Sequence, residues 1–523
     1  MFTRSTRRWL AGLGVAGTLV AASASPASAE EPKISLGVYF GDNTIAAGSP
    51  GKIDSPIIFA SSTVVVRDLT IRYDFTDLAG VATFTPESSA DWCNSPEANV
   101  LVCTDPFELE IYESGFGGRF PVVIAPTNEA KDGDEGTVKV SLSAAGFAPA
   151  SYDARVRVGE GVDLAAGESV ERAAGPGKSF TAPLVVSNAG GTVAKGATAF
   201  FFNDYGIQAD QRYSNCTYVE AQLRSCHFAG DLTPGVSYAA ELAYRVAKDA
   251  FAPGYDHGEV VWMTPAEADD FAKYLKEWGV TAGEPGTAGE LKLTGAEPRI
   301  SARGFQADTE PYNNWSSLAV TVTGKNSTDL AAIGDKVSGA EGAEVLATVG
   351  FRNNGPATLD NGRSGSSVTH LAIEIPKGTS AVKVPQACAP VNNKDEWGEP
   401  GEPGGRTYRC FPSWFIKAGD EETFEFGLRI DKVTPNAAGK VKVNVPCNCD
   451  GGFYADLNPA NDTAKIIVNP TRGQDDGGQG GDGGMLPITG ANTALIAGVG
   501  GLLLAAGAAG FVLTRRRRTH FTA

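Results

Sequence analysis

A recurring cysteine pair is the strongest constraint on how this chain can fold. Cys93 and Cys103 lie ten residues apart, Cys216 and Cys226 lie ten apart, and Cys388 and Cys410 repeat the pair around a longer loop. After each second cysteine come a glycine turn and an apolar-alternating stretch. These are Gly117-Gly118 before Phe120 to Ile124, Pro234-Gly235 before Tyr238 to Val246, and Gly419 before Thr423 to Ile430. A second turn then opens a further strand: Gly136-Thr137-Val138-Lys139-Val140, Gly258-Glu259-Val260-Val261-Trp262 and Gly439-Lys440-Val441-Lys442-Val443. One unit is therefore present three times.

Further repeats tie the second and third copies together. Asp163-Leu164-Ala165-Ala166 recurs as Asp329-Leu330-Ala331-Ala332, and Ser187-Asn188-Ala189-Gly190 recurs as Arg352-Asn353-Asn354-Gly355. Near the end of each, Tyr312-Asn313-Asn314-Trp315 and Asn458-Pro459-Ala460-Asn461 precede a last strand. The units are expected over 30–158, 159–324 and 325–470, with the first the most diverged. Within them the period is two: Leu69, Ile71, Tyr73 and Phe75 alternate with polar residues, as do Phe424, Phe426, Leu428 and Ile430. Such strands put one row of side chains into a core and the other into water. Several short strands with turn signals between them predict an all-β chain of three antiparallel sandwiches. The 64 glycines and three methionines agree with short strands and tight turns.

One segment breaks the β pattern. Thr264-Pro265-Ala266-Glu267 supplies a cap, a proline at the first helical position and a glutamate three residues after the cap, which together favour a helix start. Phe271, Leu275 and Trp278 then share a face and Gly279 is a stop. A helix near 265–278 is expected, packed by that face on the second sandwich.

Both ends of the chain carry addresses. Arg4, Arg7 and Arg8 precede an apolar stretch from Trp9 to Val20, and Ala27-Ser28-Ala29 is a small-residue cleavage site, so 1–29 reads as an export signal. The arginine pair leaves the general and twin-arginine export routes both open. At the other end Leu486-Pro487-Ile488-Thr489-Gly490 is followed by an apolar run from Ala491 to Leu513 and by Arg515 to Arg518. At 1.5 Å per residue that run can cross a bilayer core of roughly 30 Å, and the arginines hold the end on the cytoplasmic side. This order resembles the LPxTG sorting signal of Gram-positive, actinobacterial-type surface proteins, with Leu486, Pro487, Thr489 and Gly490 matching the motif. The resemblance implies that sortase, a membrane transpeptidase, cuts between Thr489 and Gly490 and joins Thr489 to a cell-wall peptide. The protein would be held in the membrane before sorting and covalently attached to the extracellular wall afterwards. A plain transmembrane anchor is the other reading of the same residues. Before the motif, 471–485 is mostly Gly, Gln and Asp and reads as a flexible spacer of roughly 20 Å r.m.s. span.

The asparagine-glycine turns, paired cysteines and closing Asn-Pro-Ala-Asn turn are similar to the tandem Ig-like repeats of bacterial surface proteins, a family known as domain of unknown function eleven. That likeness covers the second and third units better than the first, and implies Ig-like sandwiches in a structural or stalk role.

Eight cysteines in an exported chain are read as disulfides before metal sites. Four of them, Cys388, Cys410, Cys447 and Cys449, allow three pairings in the third unit; 388–410 with 447–449 is favoured by analogy with the other units. Zinc is disfavoured, since the usual CxxC spacing is missing. Removing the two terminal segments takes away seven arginines and leaves 37 basic against 61 acidic residues. That balance argues against nucleic acid as a partner.

The search for chemistry is mostly negative, and the chain is expected to be no enzyme and to need no cofactor or metal. His227, His257 and His370 are spread over different units, and Gly362-Arg363-Ser364-Gly365-Ser366 misses the nucleophile-elbow pattern at its last residue. The loop between Cys388 and Cys410 carries Asp395, Glu396 and Trp397. A tryptophan beside carboxylates can stack on a sugar ring or sit near a bound Ca²⁺; the alternative is an insertion whose indole folds back on the sandwich. The expected function is a structural or adhesive stalk for an unknown surface ligand, with a carbohydrate- or matrix-binding module as the alternative.

Overall fold

The computed structural model describes residues 34–87, 92–112, 115–295, 305–392, 394, 396–445 and 456–471. The export segment with Ala27 and Ala29, Asp395, Cys447 and Cys449, the spacer beyond residue 471, and the sorting motif with its apolar run lie outside the described residues.

Three apolar cores follow one another along the described chain. The first contains Ile45, Ile71, Tyr73, Val140 and Val156, the second Leu184, Val186, Phe201, Tyr244 and Trp262, and the third Val349, Phe351, Ile373, Phe426 and Leu428. The alternating residues Leu69, Ile71, Tyr73 and Phe75 are all buried, as are Phe424, Phe426, Leu428 and Ile430. A period of two thus decides which side of each strand leaves water.

The third unit shows the topology most simply. One sheet runs Leu330–Ile333, Glu344–Asn353, Glu421–Ile430, Thr379–Lys383; the other runs Asp335–Val337, Thr463–Val468, Ala437–Lys442, Leu371–Glu374, Thr407–Cys410, Cys388–Pro390. The first strand is split. Its leading half pairs antiparallel in one sheet, and Asp335–Val337 crosses to the other and pairs in parallel with the last strand. The second unit repeats this order, with Val170–Ala174 parallel to Trp315–Asn326. In the first, Asn43–Ala46 is parallel to Ala150–Val162, while the opposite sheet is broken into shorter pieces. These are Ig-like sandwiches, each with an added hairpin on the edge of the larger sheet.

That hairpin is the cysteine pair. Cys93 faces Cys103, Cys216 faces Cys226 and Cys388 faces Cys410 directly across antiparallel strands, and each pair forms a disulfide with Cα atoms 4.0 Å apart. In the first and third units this strand is outermost with one neighbour, and in the second Cys216–Val219 is flanked beyond only by the two-residue strand Glu284–Pro285, so the bond holds an element that pairing alone would leave prone to fraying.

The glycines expected to open a second turn sit elsewhere. Gly136, Gly258 and Gly439 lie inside the strands Glu135–Ser143, Ala252–Met263 and Ala437–Lys442. A Cβ there would meet the Asp77 carbonyl at 2.8 Å, Asn203 Oδ1 at 2.4 Å and the Glu374 carbonyl at 2.2 Å. The sequence signal reports a close approach to a neighbouring segment rather than a change of direction.

The helix Pro265–Glu277 (α1) forms with the expected ends. Thr264 caps it in a full capping box with Glu267, Pro265 opens it, and Gly279 at φ +67° follows the C-cap. Its packing differs from the expectation. Its buried residues are Ala266, Glu267, Ala268 and Asp270, and Phe271, Leu275 and Trp278 are only half-buried. The helix is wedged between the first and second units.

The disulfide gives the first prediction. Replacing Cys216 and Cys226 together by alanine should lower the unfolding free energy of the second unit by about 2–3 kcal/mol, the loop-closure entropy of a ten-residue ring. Urea melts of the full chain followed by amide exchange in Ser237–Val246 would read it, and the other two cores should keep their protection.

Candidate functional site

The Trp397 loop was the first place to look for a ligand. The indole stacks on Phe411 at 5.3 Å and 24°, and Phe411 meets His370 edge-on at 5.0 Å. One face is therefore folded back on the sandwich while the side chain stays 48% exposed. The loop's carboxylates serve the loop: Glu396 Oε2 accepts from Asn392 Nδ2 at 2.6 Å, and Glu402 Oε2 accepts from the Glu399 amide at 2.8 Å. Among the described residues no group of three His, Cys, Asp or Glu could hold a metal ion.

The other sequence candidates also resolve into structure. Asn188 and Asn353, central to the repeated motif, are fully buried. Asn188 donates to the Thr192 and Leu232 carbonyls, both at 2.8 Å, and accepts from the Gly190 amide at 3.1 Å. Asn353 donates to Ala357 and Lys417 and accepts from Gly355 in the same way. Each pins a loop to the sandwich end by satisfying backbone groups there. His227 is exposed beside Thr198 Oγ1 at 3.1 Å, His257 is 3.2 Å from Glu259, and His370 is buried. The histidines do not converge.

What the sequence did not reveal are the two junctions. At the first, α1 supplies Asp270, which is buried with Arg157 at 2.9 Å and accepts from Thr44 Oγ1 at 2.5 Å. Arg157 also donates to Thr44 Oγ1 at 2.7 Å and to the Ala266 carbonyl at 2.9 Å. Burial raises the Asp270 pKa, against the pull of Thr44 and the two arginines 157 and 155. Glu267 pairs with Lys52 of the first unit, and Lys273 reaches Asp42 at 2.8 Å. Along the other side of the helix a run of rings crosses the junction: Trp315 on Phe202, Phe202 on Phe271, Phe271 on Tyr274, Tyr274 on Tyr39 and Tyr39 on Trp278. The strand Ala150–Val162 itself runs on through position 158 and pairs with Gln306–Asp308 of the second unit.

The second junction is built of carboxylates. Asp249 accepts from Tyr205 Oη at 2.9 Å and from Thr358 Oγ1 at 2.5 Å, and Asp360 accepts from the Tyr205 amide at 3.1 Å. Arg363 crosses from the third unit to Asp204 at 3.1 Å, to the His257 carbonyl at 3.2 Å and to Glu259 at 3.6 Å. Phe251 packs into the third core and Phe415 meets Tyr205 edge-on at 5.2 Å. Behind this layer lies Asp256, whose Oδ2 is buried without a partner. Burial, then the charges of Asp204 and Asp360, push its carboxyl up to about 7.

The fold and its junctions define a tandem Ig-like chain. No family model matches it, and no curated protein does. Among solved structures it is similar to the I67–I69 fragment of the titin I-band, at 7% identity over 83% of this chain and 98% of that one, with a TM-score of 0.17. A complex of Dpr2 Ig1-Ig2 with DIP-Theta Ig1-Ig3 aligns at 8% identity over 83% and 99%, TM-score 0.20. A protein named as membrane anchored, from Corynebacterium diphtheriae, aligns at 10% identity over 83% and 94%, TM-score 0.17. The strand order within each unit, rather than these alignments, defines the sandwiches.

Two outcomes follow. Asp270→Ala leaves Arg157 buried without its carboxylate, a loss of about 3–5 kcal/mol, so amide exchange in α1 should accelerate more than a hundredfold; Arg157→Met combined with Asp270→Leu should recover most of it. For Asp256 the native state binds a proton between pH 4 and 7 that the unfolded chain releases, so stability falls as pH rises through that window. Asp256→Asn should flatten the decline and melt higher than wild type at pH 8 by calorimetry; an unchanged slope would show that the carboxyl titrates normally.

Proposed function

We propose that the chain is a non-enzymatic structural or adhesive stalk, exported by its N-terminal segment and attached to the cell wall by sortase through Thr489. The observation that carries the stalk reading is the ordered character of both junctions. Units joined by a packed helix on one side and by Arg363, Tyr205 and Phe251 on the other hold a fixed sequence of sandwiches rather than beads on a loose string. The three disulfides among the described residues favour an oxidising, extracellular setting. In this reading the apolar run from Ala491 to Leu513 holds the chain in the membrane until transfer, and the spacer from 471 to 485 lifts the last sandwich off the anchoring point. The carbohydrate- or matrix-binding alternative keeps one supporting observation at the Trp397 loop, the outward face of the indole.

Cells expressing wild type and Thr489→Ala are to be fractionated, digested with muramidase, and the released protein's C-terminus read by mass spectrometry. Threonine ending in a wall-peptide fragment, missing in the variant, is the expected result. A tail intact through Ala523 in the wild-type membrane fraction would replace the sortase partner with a plain transmembrane anchor.

A further inference from the structure

Where the second and third units meet, a cleft of about 350 Å³ opens on the outer face of the second unit's larger sheet. That volume is within the range of small-ligand sites, which favour domain interfaces. One wall is Tyr255 and His257, alternate residues of Ala252–Met263 whose rings stack at 6.5 Å and 26°. The opposite wall is the third unit's turn, with Asp360, Asn361 and Arg363. Tyr255 is 62% exposed, on a strand face where an antiparallel sheet ordinarily meets water with polar side chains.

The lining selects a ligand class by exclusion. Arg363 is the only lysine or arginine lining the cleft among the described residues, and its charge is already offset by Asp204 and Glu259, although its five N–H donors outnumber its three partners Asp204, Glu259 and the His257 carbonyl. With Asp204 and Asp360 also in the wall, an anion meets more negative than positive charge. No aliphatic side chain lines it, so an acyl chain or an apolar peptide would find little to bury. What fits is a neutral molecule with one apolar face and a rim of hydroxyls. Planar Asp, Asn and Arg side chains each present two hydrogen-bonding atoms, a match for neighbouring hydroxyls. They are held in place beforehand: Asp360 by the Gly362 and Tyr205 amides, Asn361 by the Ser367 carbonyl at 3.2 Å.

We propose that this cleft binds a neutral saccharide, stacked on Tyr255 and hydrogen-bonded by Asp360, Asn361 and Arg363. The same sheet face supplies a second platform. Tyr255 pairs with Thr321 and Val261 with Trp315 in one unbroken register, so Trp315 lies on the same face six residues along, roughly 20 Å away at about 3.3 Å per residue. Between them the last strand presents the small residues Ser317 and Ala319. Trp315 stacks on Phe202 at 6.1 Å and remains 50% exposed. An oligosaccharide laid along the face reaches both rings.

This site deepens the adhesive half of the proposed function. Anchoring is read by cell fractionation and sugar binding by the purified chain, so either can fail alone. The full-length chain in mild detergent is probed on an array of neutral oligosaccharides of graded length, beside sialylated and sulfated glycans and a proline-rich peptide. Neutral glycans should bind, the longer ones more tightly. Tyr255→Ala, which removes a mostly exposed ring, should weaken all lengths by about tenfold. Trp315→Ala should weaken only the long ones, and Leu346→Ala, an exposed residue of the third unit, should change nothing. Three results would overturn the proposal: no glycan captured by wild type, capture confined to anionic glycans or the peptide, or binding lost in Trp397→Ala but kept in Tyr255→Ala.

Discussion

The buried pairing of Arg157 with Asp270 fixes how the first two units sit together. Both groups are almost wholly removed from water, Arg157 from the last strand of one sandwich and Asp270 from the helix of the next. Such a pair adds little net stability, because desolvation consumes most of the attraction, yet either charge alone is strongly unfavourable. Its effect is therefore on geometry. Only the arrangement in which Thr44, the Ala266 carbonyl and Asp270 all meet Arg157 leaves no charge stranded. The capping box that starts α1 serves the same end, since Glu267 closes the cap and also pairs with Lys52.

The two junctions hold in chemically different ways. The first combines a compensated ion pair with a run of rings in stacked, tilted and edge-on contact, beside Asp308, which burial pushes up to about 7. The second gathers Asp204, Asp249 and Asp360 around Arg363 and the hydroxyl and backbone amide of Tyr205, with Asp256 behind them. Burial raises Asp204 although the His257 amide and Arg363 pull it down.

Much of the sandwich was legible because its signals are local. The period of two needs only neighbouring residues, and cysteines ten apart can face each other across one hairpin. The helix was legible from its ends, as Thr264, Pro265 and Glu267 act within one turn. Its environment was not: Phe271 and Trp278 looked like a core stripe, but the face most removed from water is acidic because its partners lie 113 residues away. Gly136, Gly258 and Gly439 were visible as a repeat and misread as turns, since a close approach to another segment leaves no mark in the strand's own sequence. The Gly362–Ser366 turn drew attention as a near miss of a catalytic motif. Its arginine instead meets Asp204, 159 residues distant, and no window of sequence brings the two together.

The split first strand of each unit has a mechanical meaning. Asn43–Ala46, Val170–Ala174 and Asp335–Val337 each run parallel to the strand by which the chain leaves that unit. Tension applied along the chain pulls the two members of such a pair in opposite directions, along their own length. The ladder bonds between them are then loaded side by side and must yield together, not one after another as in a peeled hairpin. The disulfide hairpin, attached at the far edge of the same sheet, lies off this line of force and can hold its shape while the load passes.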